Sequence, residues 1–135
     1  MLMQSTKLSG CSEWRKIIPD NYEGLLFWLP ALPGVYVMRY DQAFGRFQGV
    51  SDILYVGKTD NKNGLRERIR QHLEPGPTQW TCQRVNAFLN KYGLEGEIEL
   101  AFFLPGEGKT RKVEKALLDK YYEDHGELPP LNRSN

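Results

Sequence analysis

Two residues on one short basic stretch set the chemical question. In Leu65-Arg66-Glu67-Arg68-Ile69-Arg70-Gln71-His72-Leu73 the apolar residues recur at helical spacing, so Arg68 and His72, four apart, share a helix face. They lie beside the Leu65, Ile69, Leu73 stripe, close to whatever that stripe packs on. An arginine held there can fork onto phosphate oxygens; the plainer alternative is a solvated basic face. Glu114 falls on the apolar stripe of Val113, Leu117, Leu118 and Tyr121, not with Lys115 and Asp119. A carboxylate turned towards a core is costly unless paired or bound to metal. One oxygen ligand of this kind suits Mg2+ or Mn2+, which keep several waters; a salt bridge to an arginine is an equal alternative. Tyr36 and Tyr55 sit in β-branched and aromatic runs, where tyrosines are usually core residues with a partnered hydroxyl. To act as a base near neutrality a phenol must fall about 3 units from about 10, a differential of about 4 kcal/mol. Lys58, three residues past Tyr55, is placed to help. Phosphodiester hydrolysis needs an activated water, stabilised charge on the phosphorane and help for the leaving oxygen. The chain offers a candidate for each.

Several elements must position these groups. Residues 1–11 show no periodicity and are expected to be loose. Segment 12–29, with Trp14, Ile17, Ile18 and Leu25, reads as one or two helical pieces broken near Pro19. Strands are expected at about 34–40 and 52–57, joined as an antiparallel hairpin by a polar, Gly-containing link. The 18 residues between Tyr36 and Tyr55 make that link long, an extended loop or ribbon. Helices follow at about 64–73, ended by Glu74-Pro75-Gly76-Pro77, and at about 79–92. A strand at 97–104 and a helix at 108–124 complete the order β-β-α-α-β-α. The fold class expected is α+β: a small antiparallel sheet of about three strands flanked by helices, with an extra N-terminal helical segment. Residues 1–31 are that extension and 32–135 the main unit.

Gly57 is expected to allow close backbone approach, and Thr59 to bond the turn after it. His125 is read as a helix-end cap. Trp14, Trp28 and Trp80 are read as packing residues.

Composition narrows the class. The 135 residues are 40% hydrophobic and 26% charged, ordinary for one globular domain. No apolar run approaches a membrane span, and Cys11 and Cys82 lack zinc or disulfide spacing, which favours free thiols and a cytoplasmic (or nucleoid or nuclear) setting. A net charge of +1 is low for a solitary nucleic-acid binder. The excess is local: Lys58, Lys62, Arg66, Arg68 and Arg70 stand against Asp60 and Glu67. If all five met phosphates, the salt slope would be about −4 to −5.

Gly34-Val35-Tyr36, Tyr55-Val56-Gly57, Leu65-x-x-Arg68-Ile69-x-x-His72-Leu73, Glu114 and Asn132 together resemble the GIY-YIG endonuclease domain, over about residues 32–132. The resemblance implies a metal-dependent endonuclease acting on DNA. Tyr36, Tyr55, Lys58, Arg68, His72 and Asn132 would then be active-site groups, with Tyr55 the general base and Tyr36 orienting water or phosphate. Glu114 would hold Mg2+ or Mn2+, and Lys58, Lys62, Arg66, Arg68 and Arg70 would meet the nucleic acid. A protein partner supplying specificity fits a chain with no recognised targeting module. The rival reading is a binding or interaction module that keeps the scaffold without turnover. Oligomeric state is not legible.

Overall fold

Branched and aromatic runs become strands, as their packing on a pleated surface favours. In the computed structural model, which describes residues 4–132, the elements are β1 (Arg15–Lys16), α1 (Glu23–Trp28), β2 (Gly34–Gly45), β3 (Val50–Thr59), α2 (Gly64–Leu73), α3 (Trp80–Tyr92), β4 (Ile98–Phe103) and α4 (Thr110–His125). All strand pairs are antiparallel, in the order β1-β4-β2-β3. The fold is α+β, a four-stranded antiparallel sheet with four α-helices.

The fourth strand is a correction. Residues 12–29 divide into β1 and α1, and Arg15 and Lys16 pair with Leu100 and Glu99. Two residues are too few to show alternation. Ser5 also departs from expectation: it is buried in a 3-10 turn, and its N–H donates to Asp52 at 2.7 Å while its hydroxyl bonds the same carboxylate.

Side chains of β2 alternate between two cores. Tyr36 and Met38 join the cluster with Leu65, Ile69, Val85 and Leu89 of α2 and α3. Val35 and Val37 join Val56 and Tyr121, under α4. Helices thus cover both faces, and each large apolar side chain so buried contributes about 1.5–3 kcal/mol. Leu54 is an extra residue on β3, because Met38 pairs with Tyr55 and Arg39 with Ile53. Tyr55, opposite Met38 in the regular register, shares the face of Tyr36, and the bulge adds Leu54 to that same core.

The long link is a ribbon. Beyond a second irregularity, Phe44 pairs with Ser51 and Gly45 with Val50. Its tip docks on the end of α4: Gln48 N–H donates to the His125 carbonyl at 3.0 Å and Arg46 to the Leu128 carbonyl at 2.7 Å. His125, expected as a cap, is buried and its Nδ1 lies 2.8 Å from the Gln48 carbonyl, so it fastens the ribbon. No helix among the described residues is long and apolar enough to cross a membrane.

Candidate active site

Tyr36 and Gly57 are cross-strand partners, and residue 57 has no side chain to obstruct the phenol. A Cβ there would stand 2.5 Å from Tyr36 Cζ and Oη and 2.7 Å from Tyr55 Cε2. The bare backbone lets both rings lie across the end of the sheet, where α2 brings His72 over them. Tyr36, Tyr55 and His72 form a three-ring cluster with centroids 5.6–5.9 Å apart. The Tyr36 hydroxyl is 2.7 Å from His72 Nε2. His72 is fully buried, and burial with the neighbouring Arg68 lowers its pKa to about 3, so the ring is neutral at pH 7.

Arg68, one turn before His72, is half-buried and links this cluster to solvent. It donates to Gln71 Oε1 at 3.0 Å and acts on both phenols, bonding that of Tyr36. It also lines a cleft of about 280 Å³ with Lys58, Asp60, Asn61 and Gln71. The first N–H groups of α2 are not available there: Leu65 N–H donates to the Leu32 carbonyl at 2.9 Å and Arg66 N–H to that of Pro30 at 3.2 Å.

Both phenols are shifted the wrong way for a base. Burial raises Tyr36 well above its ordinary value and raises Tyr55 less, with Arg68 opposing in each case. Tyr55 also receives a hydrogen bond from Tyr36, which favours its phenolate. Of the two, Tyr55 is the better placed to lose a proton.

Glu114 is half-buried on α4, and burial raises its carboxyl above the usual range; Lys58 and, less strongly, Arg111 pull it down while Asp60 pushes it up. Its charge is felt at Tyr55. Among the described residues no hydrogen bond or ion pair engages it, so the alternative of a structural salt bridge is not realised. An unpaired carboxylate fits Mg2+ or Mn2+ completing its shell with water and substrate oxygens. No group of three or more His, Cys, Asp or Glu among the described residues forms an all-protein cage.

The chain was compared with known protein families, with curated proteins and with solved structures. It matches none.

Other expected site residues lie apart or are engaged. Asn132 is a backbone clamp: Val56 N–H donates to its Oδ1 at 3.0 Å and its Nδ2 donates to the Val56 carbonyl at 2.8 Å. It braces the residue after Tyr55, with one bond through each end of its amide. Arg66 donates through Nε to the Leu26 and Leu29 carbonyls, both at 2.9 Å, at the end of α1. Arg70 is held by Glu67 at 2.8 Å and lies 3.8 Å from Glu74. Lys58 pairs with Asp60 at 2.7 Å. Lys62 is exposed at the mouth of a neighbouring groove with Arg111 and Leu104.

Gly57 and Thr59 behave as read, the Thr59 hydroxyl accepting from Asn61 N–H at 3.2 Å. Trp14 and Trp28 pack under Arg39 and Arg15, but Trp80, the first residue of α3, is 72% exposed, whereas Cys82 two residues on is buried. Two groups not read as site residues also stand here. Cys82 is buried beside Arg68 and the phenols, its thiol pushed up by burial. Asp60 joins Lys58 to Thr110. Only its nearness to Lys58 in sequence could have signalled it.

Proposed function

We propose that the chain is a divalent-metal-dependent endonuclease of the GIY-YIG type, hydrolysing DNA phosphodiester bonds. The supporting observation is Arg68, which lines an open cleft while contacting the Tyr36–Tyr55–His72 cluster, together with a Glu114 carboxylate that has no partner and whose charge is felt at Tyr55. Neutral His72 fixes the Tyr36 hydroxyl. Tyr36 and Arg68 then favour a phenolate on Tyr55, the group that takes a proton from the attacking water. The Arg68 guanidinium offers paired donors to phosphate oxygens as charge grows on them. Lys58 adds positive charge at the cleft. A Mg2+ or Mn2+ ion held by Glu114 would supply Lewis-acid stabilisation of the phosphate.

The test is nicking of supercoiled DNA with Mg2+ or Mn2+. Glu114→Ala and excess chelator are expected to abolish it. Arg68→Ala should lower the rate by about 10²–10³-fold, as for lost oxyanion donors, with little change in affinity. Arg70→Ala should do neither, because Glu67 already holds that side chain. Cleavage that persists in chelator, or equal effects of the two arginines, would sink the reading.

A second reading, a nucleic-acid-binding or interaction module without turnover, is favoured by the upward shift of both phenols. It predicts the opposite result: DNA binding that Glu114→Ala leaves intact, and no nicking at any metal concentration. In either case target choice would come from a protein partner or a pre-distorted substrate.

A further inference from the structure

Lys58 and Asp60 stand at the end of β3, and their geometry bears on what Glu114 can bind. Lys58 Nζ lies 2.7 Å from one Asp60 oxygen. The other Asp60 oxygen accepts a hydrogen bond from the Thr110 hydroxyl. Thr110 is the buried first residue of α4, and Glu114 follows one turn later on the same face. One carboxylate therefore ties the ammonium of β3 to the start of the helix that carries Glu114. The position suits a negative charge, since the first turn of a helix attracts anions.

Lys58 is also the cation that acts most strongly on Glu114, ahead of Arg111. An ammonium near a half-buried carboxylate gains energy by closing onto it. Here it does not close: the ion pair that forms is with Asp60.

We infer that Asp60 is a positioning residue that holds the Lys58 ammonium off Glu114 and so keeps that carboxylate open to a divalent cation. The inference rests on the metal reading of Glu114. Without the Asp60 charge, Lys58 turns to Glu114 and fills the cation's place.

Mn2+ binding to the full chain, followed by calorimetry or by the spin resonance of free Mn2+, tests this through a double-mutant cycle. Asp60→Asn keeps the shape and an acceptor for Thr110. It should weaken Mn2+ binding by about tenfold or more with Lys58 present, and by less than about threefold in a Lys58→Met background. Mere loss of a nearby negative charge would weaken binding equally in both backgrounds, and that equality would overturn the inference. So would unchanged binding by Asp60→Asn. Lys58→Met alone, with Asp60 in place, should change affinity by less than about threefold, because the ammonium is already held away. A large gain would mean that Lys58 competes for Glu114 in the native chain, which also overturns it. If the native chain shows no Mn2+ binding that Glu114→Ala removes, the metal reading itself fails, and this inference with it.

Discussion

His72 makes a buried hydrogen bond to Tyr36 as a neutral ring, and neutrality has a consequence for stability. In the unfolded chain the imidazole titrates at its ordinary value of 6.5; in the fold it does so at about 3. Below pH 6.5 the unfolded state binds the extra proton, so stability falls as pH falls, and it continues to fall until the folded value is reached. The slope from this one group approaches about 1.4 kcal/mol per pH unit. His72→Gln keeps a neutral hydrogen-bonding group and removes the titration. Urea unfolding at pH 7 and pH 4.5 should therefore show a smaller acid loss for the variant than for the native chain. Equal losses would mean that the ring is not held neutral. The same residue shows what spacing alone conveys. That Arg68 and His72 share a face was readable from four residues of separation, and both do meet Tyr36. That His72 lies fully inside while Arg68 reaches the cleft was not, because it depends on the path of β2 and β3 beneath the helix.

At the level of elements, α2 was the most legible part of the chain. Its span, Gly64–Leu73, coincides with the apolar period bounded by Gly64 and by Glu74-Pro75. Gly64 has φ +65°, and a Cβ there would come 2.1 Å from the Leu32 backbone, so the helix begins where only glycine fits. What α2's side chains hold was not legible. Arg66 reads as a phosphate cation, yet it binds the last carbonyls of α1, a helix of six residues with little propensity to persist alone. Cations at helix C-termini stabilise by about 0.3–1 kcal/mol each, and Arg66→Ala should cost about that much. The predicted signature is faster amide exchange at Leu29 with DNA affinity changed by less than about twofold. A large affinity loss with α1 unchanged would return Arg66 to the nucleic-acid surface. The fourth strand was missed for a related reason: β1 owes its existence to β4, not to any pattern of its own.

For the whole molecule, the near-neutral charge and the ion pairs bear on the proposed DNA binding. Of the five cations between positions 58 and 70, Lys58, Arg66 and Arg70 already have protein partners. Lys62 and Arg68 remain able to meet phosphate without breaking an ion pair or a helix cap. Two contacts give a salt slope of about −2, well short of the value near −4 to −5 that five would give. Binding of short duplex DNA across a salt series should give that shallow slope, with affinity at the weak end of about 10⁻⁴–10⁻⁶ M. A slope near −5 would mean that the ion pairs open on binding. Composition leads to the expectation of a modest grip, and the ion pairs lower the number of cations that expectation can count on. Exposed Phe27 and Phe47 lie in the two segments, before Pro30 and in the ribbon, where a partner would first be sought.

The Asn132 clamp reaches beyond the site. β3 is the outermost strand of the sheet, and an outermost strand is a template on which another chain can add. Leu131 N–H takes the Leu54 carbonyl at 2.9 Å, and the Asn132 amide takes both the N–H and the carbonyl of Val56. A carboxamide carries the same donor and acceptor as a peptide bond, so this side chain imitates one residue of a fifth strand and then stops. With Leu131 it satisfies the central stretch of the rim. The residue that braces Tyr55 from behind thus also occupies, on the outermost strand, backbone groups that another chain would otherwise need in order to add there.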